Sequence, residues 1–406
     1  MQTMNRAGWE SFAPARHTPD PARVRFALSG LFLLGGLTGL LGALLPIWAI
    51  HLTLETSAAG NCFLAIAFGT AGAVAAQSRA GSAEKGLRRR LVAGCLLASA
   101  SLAGVSLLYD QTWLAAPLVA LGVAVGLLAM TTASALYDTL TPQRTPALLD
   151  LAGVSFGLGA GAACATAWLS IGWLSWEWLL RLAALGLLAA ATVTSRGTSF
   201  AAAPALASAA PRPMRLSPIG VLLGLGLFLQ ACNYGVLGGW LAFYLARRFG
   251  MTTSDSLAVL LVFWIAMTAG RVAAMRLPAI DRHLRSLFAA TAFCLLGCAF
   301  LLNTTQSSGA FVGALLAGLG VGALHPLTLG AAVRDRHGLN PADLRAFFAT
   351  SFVAVALAGW LMGQLSSRFG IEAVVWSALA TSAAALLVLG TMIIEAKLSA
   401  GASAAG

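Results

Sequence analysis

The sequence predicts an all-α polytopic membrane protein of twelve transmembrane helices in two pseudo-symmetric six-helix bundles, and three observations carry that prediction. Only 25 Lys+Arg and 14 Asp+Glu occur in 406 residues, 10% of the chain, against roughly 25% in a soluble globular protein. Hydrophobic residues make up 59%, enough for about twelve runs of the roughly 20 apolar residues that cross a ~30 Å hydrocarbon core. The charges that do occur fall mainly between these runs. Backbone amides cannot go unpaired in lipid and the runs are about twice the length of a barrel strand, so the runs must be helices.

In order along the chain, residues 1–25 hold Arg6, Glu10, Arg16, His17 and Asp20 and lack the apolar stretch of a signal peptide, so they read as a cytoplasmic tail. The first run, 26–50, begins after Arg23 and Arg25; the second, 58–78, stops before Arg79. The third, 91–109, follows Arg88, Arg89 and Arg90, and the fourth, 113–137, lies between Asp110 and Asp138. The fifth, 147–169, follows Arg144, and the sixth, 177–194, ends before Arg196. Residues 195–215 contain Pro204, Pro211 and Pro213 among Ala and Ser, the composition of a flexible cytoplasmic linker. It separates an N-terminal bundle, 26–194, from a C-terminal bundle, 216–395. The seventh run, 216–245, stops before Arg247 and Arg248; the eighth, 254–275, before Arg276; the ninth, 286–303, follows Arg285. The tenth, 309–332, stops before Arg334, the eleventh, 346–366, lies between Arg345 and Arg368, and the twelfth, 373–395, follows Glu372. Residues 396–406 remain as a cytoplasmic C-terminal tail.

Twelve spans place 21 basic residues on the side of the N-terminus and only Arg181, Arg247, Arg248 and Arg368 on the other. The positive-inside bias therefore predicts cytoplasmic termini and integration in a plasma (inner) membrane. The same bias accounts for the net charge of +11, which in a soluble chain would suggest nucleic-acid binding. Nucleic acid is not expected as a partner; membrane lipid is. Cys62, Cys95, Cys164, Cys232, Cys294 and Cys298 all sit inside apolar runs, where a free thiol packs as a small hydrophobe. No disulfide framework, metal site or cofactor follows from them.

The two halves echo one another. Thr70-Ala71-Gly72 recurs 198 residues later as Thr268-Ala269-Gly270, Leu121-Gly122-Val123 recurs 198 later as Leu319-Gly320-Val321, and Ser155-Phe156 recurs 196 later as Ser351-Phe352. Each match pairs span n with span n+6, the mark of an internal repeat.

Six plus six helices around a cytoplasmic linker resemble the major facilitator superfamily over essentially the whole chain. Gly238-Gly239-Trp240-Leu241-Ala242-Phe243-Tyr244-Leu245 with Phe249-Gly250, Phe263-Trp264 with Gly270-Arg271, Ser155 to Ala160, and Gly318 to Gly322 with Pro326-Leu327-Thr328 are similar to stretches of its fucose permease branch. That branch contains sugar:proton symporters, so the resemblance implies a sugar substrate and possible proton coupling. The branch's coupling carboxylates correspond here to Gly42 and Tyr234, so proton symport is not itself implied and a uniporter stays open.

The candidate site rests on the seventh span. Gln230, Asn233, Tyr234, Leu237, Leu241 and Tyr244 follow i, i+3, i+4 spacing and share one helical face. Amide and phenol groups cost free energy in hydrocarbon unless hydrogen-bonded, so the stripe should meet a neighbouring helix or a wet cavity. Gln230, Asn233 and Tyr234, with Trp240 or Trp264 stacking on an apolar sugar face and His325 contacting substrate, make up the expected substrate site. His325, with an ordinary pKa near 6.5, and Asp150 are the proton-coupling candidates. Asp138, Arg271 and Arg334 stand near span ends and are expected to form a cytoplasmic gate; Gly153, Gly157 and Gly161 give the fifth span a flat face for close packing. The expected function is secondary active or facilitative transport of a small polar solute, chiefly a monosaccharide, by a monomer. A drug or lipophile exporter is the alternative, and a non-transporting receptor or scaffold the alternative of another class. An enzyme is not expected, for want of a grouped nucleophile, base and orienting partner.

Overall fold

A computed structural model describes residues 21–77, 84–108, 110–137, 145–196, 218–276, 283–334 and 341–405. Among the described residues twelve helices follow one another: α1 (Pro21–His51), α2 (Thr56–Gln77), α3 (Glu84–Val105), α4 (Ala115–Tyr137), α5 (Thr145–Ser170), α6 (Trp176–Arg196), α7, α8 (Thr253–Met275), α9 (His283–Asn303), α10 (Ser307–Arg334), α11 (Pro341–Phe369) and α12 (Ala373–Ala405). Helix α7 is composite, with Pro218–Asn233 and Gly239–Phe249 α-helical and Tyr234–Gly238 between them a π segment. Eight of the twelve are long and apolar enough to cross a membrane. The first two turns of α3 are crowded with Arg88, Arg89 and Arg90, α7 is interrupted, and the apolar parts of α9 and α12, Phe288–Asn303 and Ala373–Val388, are shorter. The chain is an integral membrane protein of all-α class.

Each expected span falls on one helix, with ends shifted either way, mostly by a few residues; α3, for one, stops at Val105, short of 109. Two differences matter. Helix α12 continues through Ala405, across what the sequence marks as a tail, and α11 begins at Pro341, because Ala, Leu and Ser near these ends permit helix beyond the hydrocarbon. Helix α7 is stopped by Gly250 at φ 62°, a left-handed C-cap open to glycine. Thr252 then caps α8, its hydroxyl oxygen accepting from the Asp255 amide at 3.1 Å.

We call the end of the bundle where α1 starts the lower end, and the end where it finishes the upper end. Helix packing repeats between the halves: α1 with α5 and α7 with α11, α2 with α4 and α8 with α10, α3 with α6 and α9 with α12. Lipid offers no hydrophobic gain for helix association, so small residues that admit close backbones drive it. The repeat is not exact in register. Gly122 presses on the Ile66 carbonyl of α2, whereas its sequence equivalent Gly320 presses on α9, and Gly318 and Gly322 take the contacts with α8.

Between halves, α2 packs on α11 and α5 on α8, the same pairing exchanged by the repeat. Gly60 meets Gly363, and Gly359 meets the Phe63 ring. At the upper end the Gln364 amide donates to Asn61 Oδ1 at 3.3 Å. Gly153, Gly157 and Gly161 form the expected flat face and receive Arg271, Thr268 and Trp264 of α8. Phe68, Leu169, Val193 and Leu387 stand exposed on the outside, as lipid-facing side chains do. Trp113, Trp173, Trp178 and Trp376 are exposed near the upper helix ends, where indole rings anchor at a membrane–water interface.

Candidate functional site

The π segment of α7 sits where the two halves meet. One extra residue per turn widens the helix there and re-aims the side chains that follow. The face drawn by simple helical spacing is therefore not preserved: the stripe's polar groups, and Trp240 beside them, reach five different helices. Asn233, 1% exposed, donates to Ser382 Oγ on α12 at 3.1 Å and accepts from the Thr381 hydroxyl at 2.5 Å. Cys294 of α9 closes that cluster, 3.1 Å from the Ser382 oxygen. Trp240 donates through Nε1 to the Gly359 carbonyl of α11 at 3.0 Å and stacks on Phe63 of α2 with centroids 6.1 Å apart. The Tyr244 hydroxyl donates to the Leu301 carbonyl of α9 at 2.7 Å. Gln230 is buried.

Tyr234 points to α8. Its hydroxyl accepts from Nη2 of Arg271 at 2.8 Å, while Nη1 of Arg271 donates to the Gly153 carbonyl of α5. The guanidinium lies over two rings, 5.3 Å from the Tyr234 centroid and 5.7 Å from that of Phe156. Arg271 is 3% exposed, and its Nε meets no hydrogen-bond partner among the described residues. This expected gate residue stands one turn before the end of α8 at Met275 and is buried between the halves. Of its expected gate partners, Asp138 lies outside the described residues, and the Arg334 side chain is likewise outside them. Asp150, half-buried on α5, feels the Arg271 charge.

Trp264 is fully buried, edge-on to Phe156 at 6.3 Å and to Phe263 at 5.4 Å. Its Nε1 has no partner among the described residues. His325 lies within α10, and its side chain is outside the described residues. Of the expected substrate residues, Tyr234 and Trp264 meet Phe156 of the first half and Trp240 meets Phe63 there, whereas Asn233 is bonded within the second half, to α12. Trp240 lies one helical turn above the others, committed to α2 and α11.

Below the α1–α7 crossing, where Gly42 meets the Gly238 carbonyl, lies a cavity of about 30 Å³. Thr38, Leu41, Phe63, Tyr234, Phe352 and Val355 are among its lining residues, so both halves contribute. It has room for about one water, far less than the roughly 300 Å³ or more of a solute pocket. Thr38 and Phe352 are contributions that sequence reading missed. Only Phe352 carried a signal, as the repeat partner of Phe156, and the two rings do meet, at 6.1 Å. A second cavity, about 320 Å³, opens at the upper end among His51, Ser170, Trp176, Glu177 and Thr253.

No protein-family model and no curated protein matches the chain. Solved structures do. A bacterial homologue of the human lysosomal transporter Spinster, in an inward-facing and occupied conformation, superposes with a TM-score of 0.63 at 14% identity over 92% of this chain and 96% of that one. The human organic anion transporter MFSD10 (TETRAN) gives a TM-score of 0.63 at 15% identity, over 90% of this chain and 99% of that one. The paired helices, the repeat between halves and these likenesses together give the chain the major facilitator fold.

Proposed function

We propose that the protein is a secondary transporter of the major facilitator superfamily, moving a small polar solute across the membrane by alternating access of its two bundles, 26–194 and 216–395. The observation that carries this reading is the interface between the two halves. Aromatic groups from both halves converge on Tyr234, while glycines bring the facing helices α2 and α11, and α5 and α8, close together and few hydrogen bonds join the halves among the described residues, the construction expected of surfaces that separate and re-form. Likeness to two solved transporters supports it.

Within that reading, a monosaccharide or hydroxylated relative is the proposed substrate class, with Gln230, Tyr234, Trp264 and His325 contacting it and Asn233 and Trp240 holding the frame. The fucose permease likeness and the N–H and O–H groups along α7 support it. Cytoplasmic termini follow from the basic-residue bias, which makes the upper end the outer one. His325 and Asp150 are the groups through which a proton could couple.

The test is uptake of labelled monosaccharides into proteoliposomes with and without an inward proton gradient. Gradient-dependent accumulation establishes symport, and equilibrating uptake indifferent to the gradient establishes facilitated diffusion. Absence of uptake for sugars, with efflux of apolar compounds instead, would replace this reading with the exporter.

A further inference from the structure

We propose that Arg271 is the receptor for an acidic group on the transported solute, so that the substrate is a small anion, a hydroxylated carboxylate in the simplest case. The inference rests on the transport reading above and adds the sign of the solute's charge. Three observations point to it.

A guanidinium 3% exposed in a membrane protein is costly to keep unless an anion accompanies it. Among the described residues no carboxylate lies within ion-pair distance of Arg271; the one ion pair formed there joins Arg248 and Glu372. What touches it is a carbonyl oxygen, a phenol oxygen and two ring faces, which compensate only part of a buried charge, while Asp150 of α5 feels that charge without pairing with it.

Its donor set is also incomplete. Arginine binds carboxylates through two parallel N–H groups, and here Nε has no partner among the described residues while Nη1 is engaged by Gly153. Gly153 belongs to α5 in the first half and Arg271 to α8 in the second. Rocking the halves apart withdraws the carbonyl and frees Nη1, leaving an unoccupied fork of N–H groups at the moment the centre opens.

Finally, the position is continuous with the centre. Tyr234 touches Arg271 through its hydroxyl and is among the residues that line the small cavity. An anion held by Arg271 would therefore extend toward Thr38 and Phe352, where hydroxyls or an apolar face of the solute would lie. Binding and latch release are competitive: the solute's carboxylate takes the donor that the Gly153 carbonyl held.

The experiment measures thermal stabilisation of the purified full chain by D-gluconate, D-glucuronate and D-lactate, with D-glucose as the neutral control. The wild type is expected to bind at least one acid at least tenfold more tightly than glucose. Arg271→Gln should weaken that acid by tenfold or more, with Arg271→Lys retaining a substantial part. Equal response to acid and neutral sugar, no response to any acid, or wild-type acid affinity in Arg271→Gln would overturn the proposal. Should Arg271→Gln fail to fold, the wild-type preference and the lysine variant decide it. Parallel uptake separates the two readings. Acid binding without flux leaves the anion site standing and removes the transporter; glucose flux without acid binding does the reverse.

Discussion

Asn233 illustrates how a polar side chain in a membrane helix can be necessary without touching solute. Both ends of its amide are taken, by Thr381 and Ser382, and on its removal both hydroxyls still donate to carbonyls within α12. Interhelical hydrogen bonds in membrane proteins average about 0.6 kcal/mol. Asn233→Ala is therefore expected to lower thermal stability by about 0.5–2 kcal/mol while solute affinity stays within threefold; a tenfold loss of affinity at unchanged stability would return Asn233 to the binding site. Trp240 is a harsher case, because its ring fills the contact between α7, α2 and α11. Truncating a buried tryptophan to alanine costs about 3–5 kcal/mol. Sequence spacing announced Asn233, Tyr234 and Trp240 as important but could not assign their partners, because these lie more than a hundred residues away for Asn233 and Trp240. Arg271 was visible only as a charge near a span end. Its depth depends on how α8 slides along α5, which no local pattern records.

Among the elements, α5 and α8 form one of the two main helix contacts between halves, with α2 and α11 the other. It runs from Gly153 and Arg271 near the lower end to Cys164, whose thiol lies 3.6 Å from the Leu257 carbonyl, near the upper end. The glycines of α5 were legible as a flat face, and the structure supplies what lies on it. A side chain at Gly157 would strike the Thr268 hydroxyl and Met267. Gly157→Leu should destabilise the closed form by about 1–3 kcal/mol, the usual cost of overpacking, with Thr268→Ala restoring part of it; an unchanged melting temperature would show that α5 and α8 do not meet so closely. Span positions could be read from sequence to within a few residues since charge and apolarity decide them. Helix ends at Ala405 and Pro341 could not, because helix propensity continues after hydropathy has stopped.

For the molecule as a whole, class, helix count and the pairing of halves follow from composition, the spacing of charges and a weak repeat, all of which act over the entire chain. Which surfaces are closed does not, since that depends on a balance between two interfaces of similar make. The upper end is closed here through Asn61 and Gln364. Cysteines at these two positions, in a background lacking the native thiols, should be bridged by a short bifunctional reagent and block uptake, with a reducible linker restoring it on cleavage. Unimpeded uptake in the bridged protein would mean that α2 and α11 do not part at this end. The π segment of α7 adds a constraint on length. An extra residue in a turn is in effect an insertion, and every side chain beyond Gly238 is turned by roughly 100° relative to an uninterrupted helix. Deleting one residue between Tyr234 and Gly238 would thus swing Trp240, Phe243 and Tyr244 away from their partners together. At this point of the chain the protein should tolerate many replacements better than a single change in spacing, and a homologue lacking the insertion would have to build its centre from different contacts.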